Sequence, residues 1–592
     1  MRPVIMNNKH KNSLIWKRGD NPEIHDTEKL TFTDQITVEA WVECNDPQAE
    51  NFQSLVSKWN LLDDFNTFSA FDAGNISGLD SKGYLGATFD GRYVYFAPQA
   101  NHTLRENGTR RHGIALRYDT HGNFKDTKSW QAFDAGNIDG LNTKGYYGVV
   151  FDGRFIFFVP RFDGTEYHSR VLRYDTAGQF DNRQSWAAHD VGVPVSYQSG
   201  SFDGRYLYLV PGHRPDPEVI KNKDLYKTTN TGNGSGEIVR YDTKADFKAD
   251  SSWQIYNAAQ TSGLNTVYFD GAVFDGRYMY FVPLFNGAVL RCDTQADFDN
   301  PDSWSAFDAS YLNTKMRVGA IFDGRYIYFV PYSDGIVIRY DTHHDFIDQG
   351  SWTSYDAGNT GGLDSKGFDG AVFDGKYIYF VPYWNNINRS GENFHGTMLR
   401  YDANKDFCDP TSWQAYNAEN TDGLDTRGYN GAAFDGKYIY FAAWEKGEGE
   451  NCNIKGHGNF LRYDTVGNHG TFSLRYIDIG HNGGLGASLP GTNFIVNTEK
   501  GAISIRANKI PEPGKHYIAG VYDGRKISLY IDGILVNEQA AYGKIQSSNV
   551  PICIGKIQDG LGTFKGIIKK VRISNSAQSP EWIRQQYVIG KN

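Results

Sequence analysis

Apolar and aromatic runs alternate with polar turns in a fixed order through the middle of the chain. Phe-Asp-Gly-Arg-Tyr opens the pattern at Phe89 to Tyr93. It returns, with Lys for Arg or Phe for Tyr, at Phe151, Phe202, Phe274, Phe322, Phe373 and Phe434. Each copy runs into aromatic and β-branched residues such as Tyr93-Val94-Tyr95-Phe96. Asp-Gly between two such runs predicts a hairpin with a type I′ turn, which needs positive φ at both central positions. A third run then ends in Arg-Tyr-Asp-Thr, as at Arg117 to Thr120 and Arg339 to Thr342, and a fourth opens on Ser-Trp, at Trp130, Trp186, Trp253, Trp304, Trp352 and Trp413. Four short strands per repeat describe a β-propeller blade, and the nearly all-apolar second strand fits a blade covered on both faces by its neighbours.

The last repeat stops at Thr465 without a Ser-Trp strand. The missing strand lies ahead of the first hairpin, at residues 67–72, with Phe68 in the Trp position. Seven blades closed by an N-terminal strand put residues near Phe65 and Gly467 side by side. The expected division is therefore residues 1–62, a propeller over 63–467, and residues 468–592.

The two flanks do not follow the blade pattern but make sense together. Ile36-Thr37-Val38-Glu39-Ala40-Trp41-Val42, Tyr517 to Gly524, Leu529-Tyr530-Ile531-Asp532-Gly533 and Val571 to Asn575, in that order, resemble the laminin G-like, concanavalin A-like jelly roll. The resemblance implies an all-β chain: a seven-bladed β-propeller inserted into a concanavalin A-like jelly-roll β-sandwich. It also implies a lectin-like domain in which calcium is the one cofactor to consider; Asp523 and Asp532 are hairpin residues, so no ligand set is assigned. Ser579-Pro580 predicts a short final helix.

Composition narrows the partners. At 592 residues, 15% aromatic and a net charge of −9, the chain makes no case for nucleic acid. No apolar run is long enough for a transmembrane helix, and the first residues lack the apolar core of a secretory signal. The chain is expected to be a monomer, either cytoplasmic, exported by another route, or shorn of a leader. Five cysteines do not make a disulfide framework. Cys44 and Cys553 fall in the same domain, where buried thiols are the simpler reading.

Repetition also sorts the polar residues. A position identical in every blade serves the blade, and one that varies is free to serve a site. By that rule the hairpin aspartates and those of Arg-Tyr-Asp-Thr are turn formers. In the innermost strand, aromatic-x-Gly varies at x: Leu85, Tyr147, Gln198, Asp270, Val318, Asp369 and Asn430. Tyr147, Asp270, Asp369 and Asn430 are therefore candidate channel-lining ligands. Loops following the second strand carry Arg161, Tyr167, His168 and Arg170 in blade 2, and Tyr332, Tyr383, Trp384 and Trp444 in blades 5 to 7. Exposed rings there would be platforms for sugars, with Arg and His holding acidic groups. Two functions follow. One is a non-enzymatic glycan- or protein-binding protein using the propeller loop face and the lectin-like domain. The other is a polysaccharide-acting enzyme (lyase or glycosidase), in which His168 or Tyr167 would act as base and Arg161 or Arg170 would neutralise a uronate. Binding is the preferred reading, since no catalytic motif is recognisable.

Overall fold

The computed structural model describes residues 4–5, 13–17, 23–24, 32–44, 52–104, 108–214, 233–312, 316–385, 393–448, 453–467, 469–478, 482–483, 486–487, 491–507, 510–558 and 561–591. The loop cation Arg105 and Cys452 lie outside them. Among the described residues no helix is long and apolar enough to cross a membrane.

Blade 1 shows the plan of all seven. Its strands Tyr84–Phe89, Tyr93–Pro98, Ile114–Asp119 and Trp130–Asp134 pair antiparallel in that order from the propeller axis outward. The blades close as the sequence predicts: Phe68–Asp72 pairs with Asn459–Asp464, with Phe68 opposite Tyr463 and Asp72 opposite Asn459. The hairpin turn differs from expectation. Gly91 alone has positive φ, at 104°, as do its counterparts in the other blades, so Gly and the following cation form a turn of the II′ kind. Asp90 stands before the turn and accepts from the backbone N–H of Arg92 and Tyr93 and from the Tyr95 hydroxyl. The type I′ geometry occurs elsewhere: Ser77-Gly78 at a blade-entry loop, and Asp532-Gly533 in the jelly roll.

Two contacts repeat around the ring, the first within each blade and the second between neighbouring blades. Each Ser-Trp indole donates to the carbonyl of a Phe six residues earlier, as from Trp130 to Phe124 and from Trp304 to Phe298. Each Arg of Arg-Tyr-Asp lies between a ring of its own blade and a ring of the next. Arg240 is 4.2 Å from the centres of both Tyr206 and Phe298, and in the closing blade Arg462 lies between Tyr438 and Phe124. Outer-strand edges are capped from the blade-entry loops, where Asp139 accepts from the N–H of Ala188 and Asp422 from that of Ala70. Those loop aspartates therefore serve the packing and blunt edges that would otherwise pair with other chains.

The flanks build one sandwich. A seven-stranded sheet includes Ile36–Cys44, Gly514–Tyr522 and Ile567–Ser574, and a six-stranded sheet includes Gln53–Trp59, Gly470–Asp478 and Gly491–Thr498. Each mixes residues from before and after the propeller. The helix Pro580–Lys591, capped by Ser579 as predicted, packs Ile583 against Tyr517, Ala519 and Tyr530 on the larger sheet. On the other side Phe52, Trp59, Ile495 and Ala502 of the smaller sheet share a core with blades 1, 6 and 7. This contact explains why Lys replaces Arg in two of the seven hairpins. In blades 1 to 5 the hairpin Arg pairs with the Arg-Tyr-Asp carboxylate, as Arg205 does with Asp242. Lys376 instead reaches Asp63 at 2.7 Å, and Lys437 stays 3.5 Å from Asp464 but also reaches Asn497 of the jelly roll at 3.1 Å.

One connection of the jelly roll goes further than the sequence suggests. Between the strands Gly470–Asp478 and Gly491–Thr498, the short strands Asn482–Gly483 and Gly486–Ala487 enter the propeller axis. Their backbones pair with Val149 and Val150 of blade 2 and with Ile321 of blade 5. The jelly-roll end of the channel is thus filled.

Candidate functional site

The other end of the channel is organised by a bulge. In every innermost strand the residue after x has positive φ and the ladder shifts register around it, as between Tyr146 and Val149. That residue is Gly in six blades and Ser199, at φ 81°, in blade 3. An irregularity of this kind re-aims the neighbouring side chain, and here it brings x residues of different blades together. The Tyr147 hydroxyl of blade 2 lies 3.3 Å from Asp270 Oδ2 of blade 4, and the Asn430 amide of blade 7 donates to Asp369 Oδ2 of blade 6. Four of the sequence candidates thus form one layer across the axis, just above the inserted hairpin.

This layer is buried and under-satisfied. Asp270, Asp369 and Asn430 are 3%, 1% and 2% exposed. Asp270 Oδ1, Asp369 Oδ1 and Asn430 Oδ1 have no hydrogen-bond partner among the described residues, nor does the Nε2 of Gln198. Burial pushes the Asp270 carboxyl up to about 7, against the pull of Arg161 and the Tyr147 hydrogen bond. Burial, and then the charge of Asp270, push Asp369 well above the carboxylate range. The Arg161 guanidinium lies 4.5 Å from the centre of the Tyr147 ring. It forms no ion pair among the described residues.

The aromatic candidates sit over this layer, but not as open platforms. Tyr383, Trp384 and Trp444 are buried and form one apolar cluster with Leu85, Tyr147 and Phe394, with Tyr332 half-buried at its margin. Tyr332 meets Trp384 edge-on at 5.6 Å between ring centres, and Tyr383 meets Phe394 at 5.3 Å. Their chain position just past a strand concealed that the loops fold inward over the axis. Tight backbone contacts hold them there: a Cβ on Gly367 would lie 1.7 Å from the Trp384 carbonyl oxygen.

His168 and Arg170 are bonded into their own blade. His168 Nδ1 accepts from the Arg170 N–H and its Nε2 meets the Lys144 carbonyl at 2.9 Å, while burial holds its pKa down to about 4. Arg170 is tied to Asp163 at 2.6 Å and to Glu166 at 2.7 Å. His112, His395 and His457 make the same pair of bonds in blades 1, 6 and 7. Ser235, Asn286 and Asp334 take the accepting role in blades 3, 4 and 5. The position two residues before the third strand is thus a cap in all seven blades, a repeat hidden in loops that otherwise vary. Tyr167 is half-buried and stacks on His213 at 6.2 Å, beside the site rather than in it.

A second concavity, a cleft of about 680 Å³ between blades 1 and 7 and the jelly roll, is lined by Lys437, Arg462, Asp464 and Glu499 among others. Its buried Lys437 is already paired with Asp464 and Asn497. In the jelly roll Asp523 accepts from backbone N–H groups of its own turn and Asp532 from Tyr517 N–H. Among the described residues no group of three or more His, Cys, Asp or Glu is placed to hold a metal. Cys44, Cys292, Cys408 and Cys553 are free thiols.

Comparison with known proteins bears mainly on the flanks. Among solved structures, virginiamycin B lyase from Staphylococcus aureus is 11% identical; the match covers 67% of this chain and 99% of that one, with a TM-score of 0.40. YCF48 bound to D1 peptide gives 13% identity, 69% and 98% coverage and a TM-score of 0.40. The periplasmic gluconolactonase of Pseudomonas aeruginosa gives 15%, 63%, 97% and 0.35. No curated protein matches the chain. Residues 457–584 match the family model of the concanavalin A-like lectin/glucanases superfamily, the resemblance carried by Tyr517 to Gly524 and Val571 to Asn575.

Proposed function

We propose that this is a recognition protein that binds glycans at the loop end of its propeller channel. The observation that carries the reading is the buried layer of Asp270, Asp369 and Asn430, with three oxygens that lack donors under a roof of aromatic rings. Buried acceptors without partners are costly, and a hydroxyl-rich ligand supplies donors for them while its ring faces the aromatics. The jelly roll supports this placement of the site. Its smaller sheet packs on the propeller and its larger sheet carries the terminal helix, so neither is an open lectin face. Against the lyase alternative stand His168 and Arg170, whose polar atoms are engaged in holding their own blade. A glycosidase reading has one observation in its favour, the adjacent carboxyls of Asp270 and Asp369.

A glycan array probed with the whole chain tests the proposal, followed by incubation of each bound glycan and analysis for new reducing ends or unsaturated products. Binding without products is expected, and it should disappear in an Asp270→Asn/Asp369→Asn variant. Turnover would favour the enzyme reading, and binding that survives the substitutions would move the site away from the channel.

A further inference from the structure

The carboxyls of the buried layer outnumber the cation beside them. Asp270 and Asp369 come from blades 4 and 6 into one buried layer, and each feels Arg161 as its nearby cation. Arg161 forms an ion pair with neither among the described residues; its guanidinium lies over Tyr147 instead. With both carboxyls ionised, this buried layer would hold two carboxylates against one guanidinium, and burial accordingly favours the protonated form of each while no second cation is at hand. A buried uncompensated charge of this kind has to be met by a proton or by a cation.

The number of free acceptors says which cation fits. Asp270 Oδ2 is taken by the Tyr147 hydroxyl and Asp369 Oδ2 by the Asn430 amide. Because a carboxylate only accepts, the Asn430 amide is oriented with its nitrogen toward Asp369 and its Oδ1 turned away. Among the described residues three oxygens are left without a partner, one each on Asp270, Asp369 and Asn430. A primary ammonium has three N–H donors and one positive charge. Aromatic rings above the layer, Tyr383, Trp384 and Trp444 among them, favour a cation by their quadrupoles. Calcium, by contrast, takes about six to eight oxygens, and as a divalent ion it would overshoot the single missing charge.

We propose that the channel mouth binds a primary ammonium group of the ligand, held by Asp270, Asp369 and Asn430 and enclosed by the aromatic roof. The amine assignment rests on the glycan reading only for its carrier: on that reading the ligand is a glycan with an unacetylated amino sugar. Arg161 and Tyr332, the half-buried members of the site, mark the side from which it enters.

The test is calorimetric titration of the full chain near neutral pH with glucosamine, glucose, N-acetylglucosamine, cadaverine and calcium chloride. Glucosamine should bind about tenfold or more tightly than either neutral sugar, as expected for a charge-assisted contact. Asp270→Asn/Asp369→Asn should remove that preference while leaving the melting temperature equal or higher, because it removes buried charge without changing shape. Should the double variant fail to fold, Asn430→Ala, which changes no charge, should still weaken glucosamine more than glucose. Equal binding of the three sugars would overturn the ammonium assignment and leave glycan recognition standing. Cadaverine binding that is lost in the variants, with no sugar bound, would uphold the ammonium site and remove the glycan reading. Calcium binding that the variants abolish, or no binding by any of the five probes, would overturn the inference.

Discussion

The arginines of the repeat offer a sharp test of what joins the blades, because blades 1 to 5 each carry one that lies between rings and one that pairs at the hairpin. Arg240 is 7% exposed, lies 4.2 Å from the centres of both Tyr206 and Phe298, and donates from Nε to Gln254 at 3.1 Å. Arg240→Met keeps the apolar stem but removes two desolvated cation–π contacts, roughly 1 kcal/mol each. It also leaves the Gln254 carbonyl without its donor, a further loss of about 1 kcal/mol. Freeing a guanidinium from burial offsets part of this, so the net expected loss is about 2 kcal/mol. Arg205, in the hairpin of the same blade, pairs with Asp242 at 2.7 Å, yet its side chain is 53% exposed. Arg205→Ala should therefore cost little. Urea unfolding followed by tryptophan fluorescence reads the difference. With a slope of about 3 kcal/mol per molar or more for a unit this size, Arg240→Met should lower the midpoint by about 0.5 M. Because Phe298 belongs to the next blade, Arg240→Met and Phe298→Leu should also be non-additive, by about 1 kcal/mol. An unchanged midpoint in Arg240→Met, or an equal drop in Arg205→Ala, would refute the view that these ring-sandwiched cations hold neighbouring blades together.

Further outcomes follow from the same geometry. A fragment of residues 64–466 should be a compact monomer by gel filtration, and one beginning at residue 80 should aggregate, since it lacks the strand Phe68–Asp72 that covers the edge of Asn459–Asp464. Gly375→Ala should destabilise the whole chain by about 1–3 kcal/mol more than Gly276→Ala. Both glycines have φ near 105°, but a Cβ on Gly375 would lie 2.1 Å from the Phe52 ring while one on Gly276 meets open space; equal losses would deny the interface. For pH, Asp270 is raised to about 7 in the fold, so its favourable contribution is complete below its ordinary value of about 3.9. That contribution declines as pH rises toward 7. Ligand-free Asp270→Asn should accordingly lose less stability than the parent between about pH 4 and 7, and parallel curves would contradict the burial argument. Finally, His168→Ala should lower the urea midpoint by removing a cap with two hydrogen bonds. If it instead abolished a glycan-cleaving activity with the midpoint unchanged, His168 would be restored as a base.

Much of this architecture is legible because the chain repeats itself. Seven copies of Phe-Asp-Gly followed by Arg or Lys and six Ser-Trp strands define the blades, and the one missing strand predicts the closure that pairs Phe68 with Tyr463. The flanks are legible as a pair, since neither has enough strands alone. What escapes the sequence involves chain segments meeting through geometry that no local pattern encodes. The insertion of Asn482–Gly483 and Gly486–Ala487 into the channel uses backbone pairing and glycine-rich sequence, so it leaves no apolar periodicity. The burial of Trp384 and Trp444 depends on the direction in which two loops fold, and their position past a strand is silent on that.

Two other features were present in the sequence as signals and become clear only with the repeats aligned. His112, His168, His395 and His457 each precede the third strand by two residues, a constancy that marks a structural cap by the same rule that sorts the aspartates. Lys for Arg in the sixth and seventh hairpins marks the two turns that leave solvent for the jelly roll. The rule also singles out the proposed site. At x in the innermost strand the backbone is the same in every blade, bulge included, so the blade itself does not require a particular side chain there. Leu85 and Val318 show that apolar residues are accepted at x, both fully buried. Asp270, Asp369 and Asn430 take the same position with polar atoms left unsatisfied, a cost that the fold could have avoided with Leu or Val and that a bound donor-rich ligand removes.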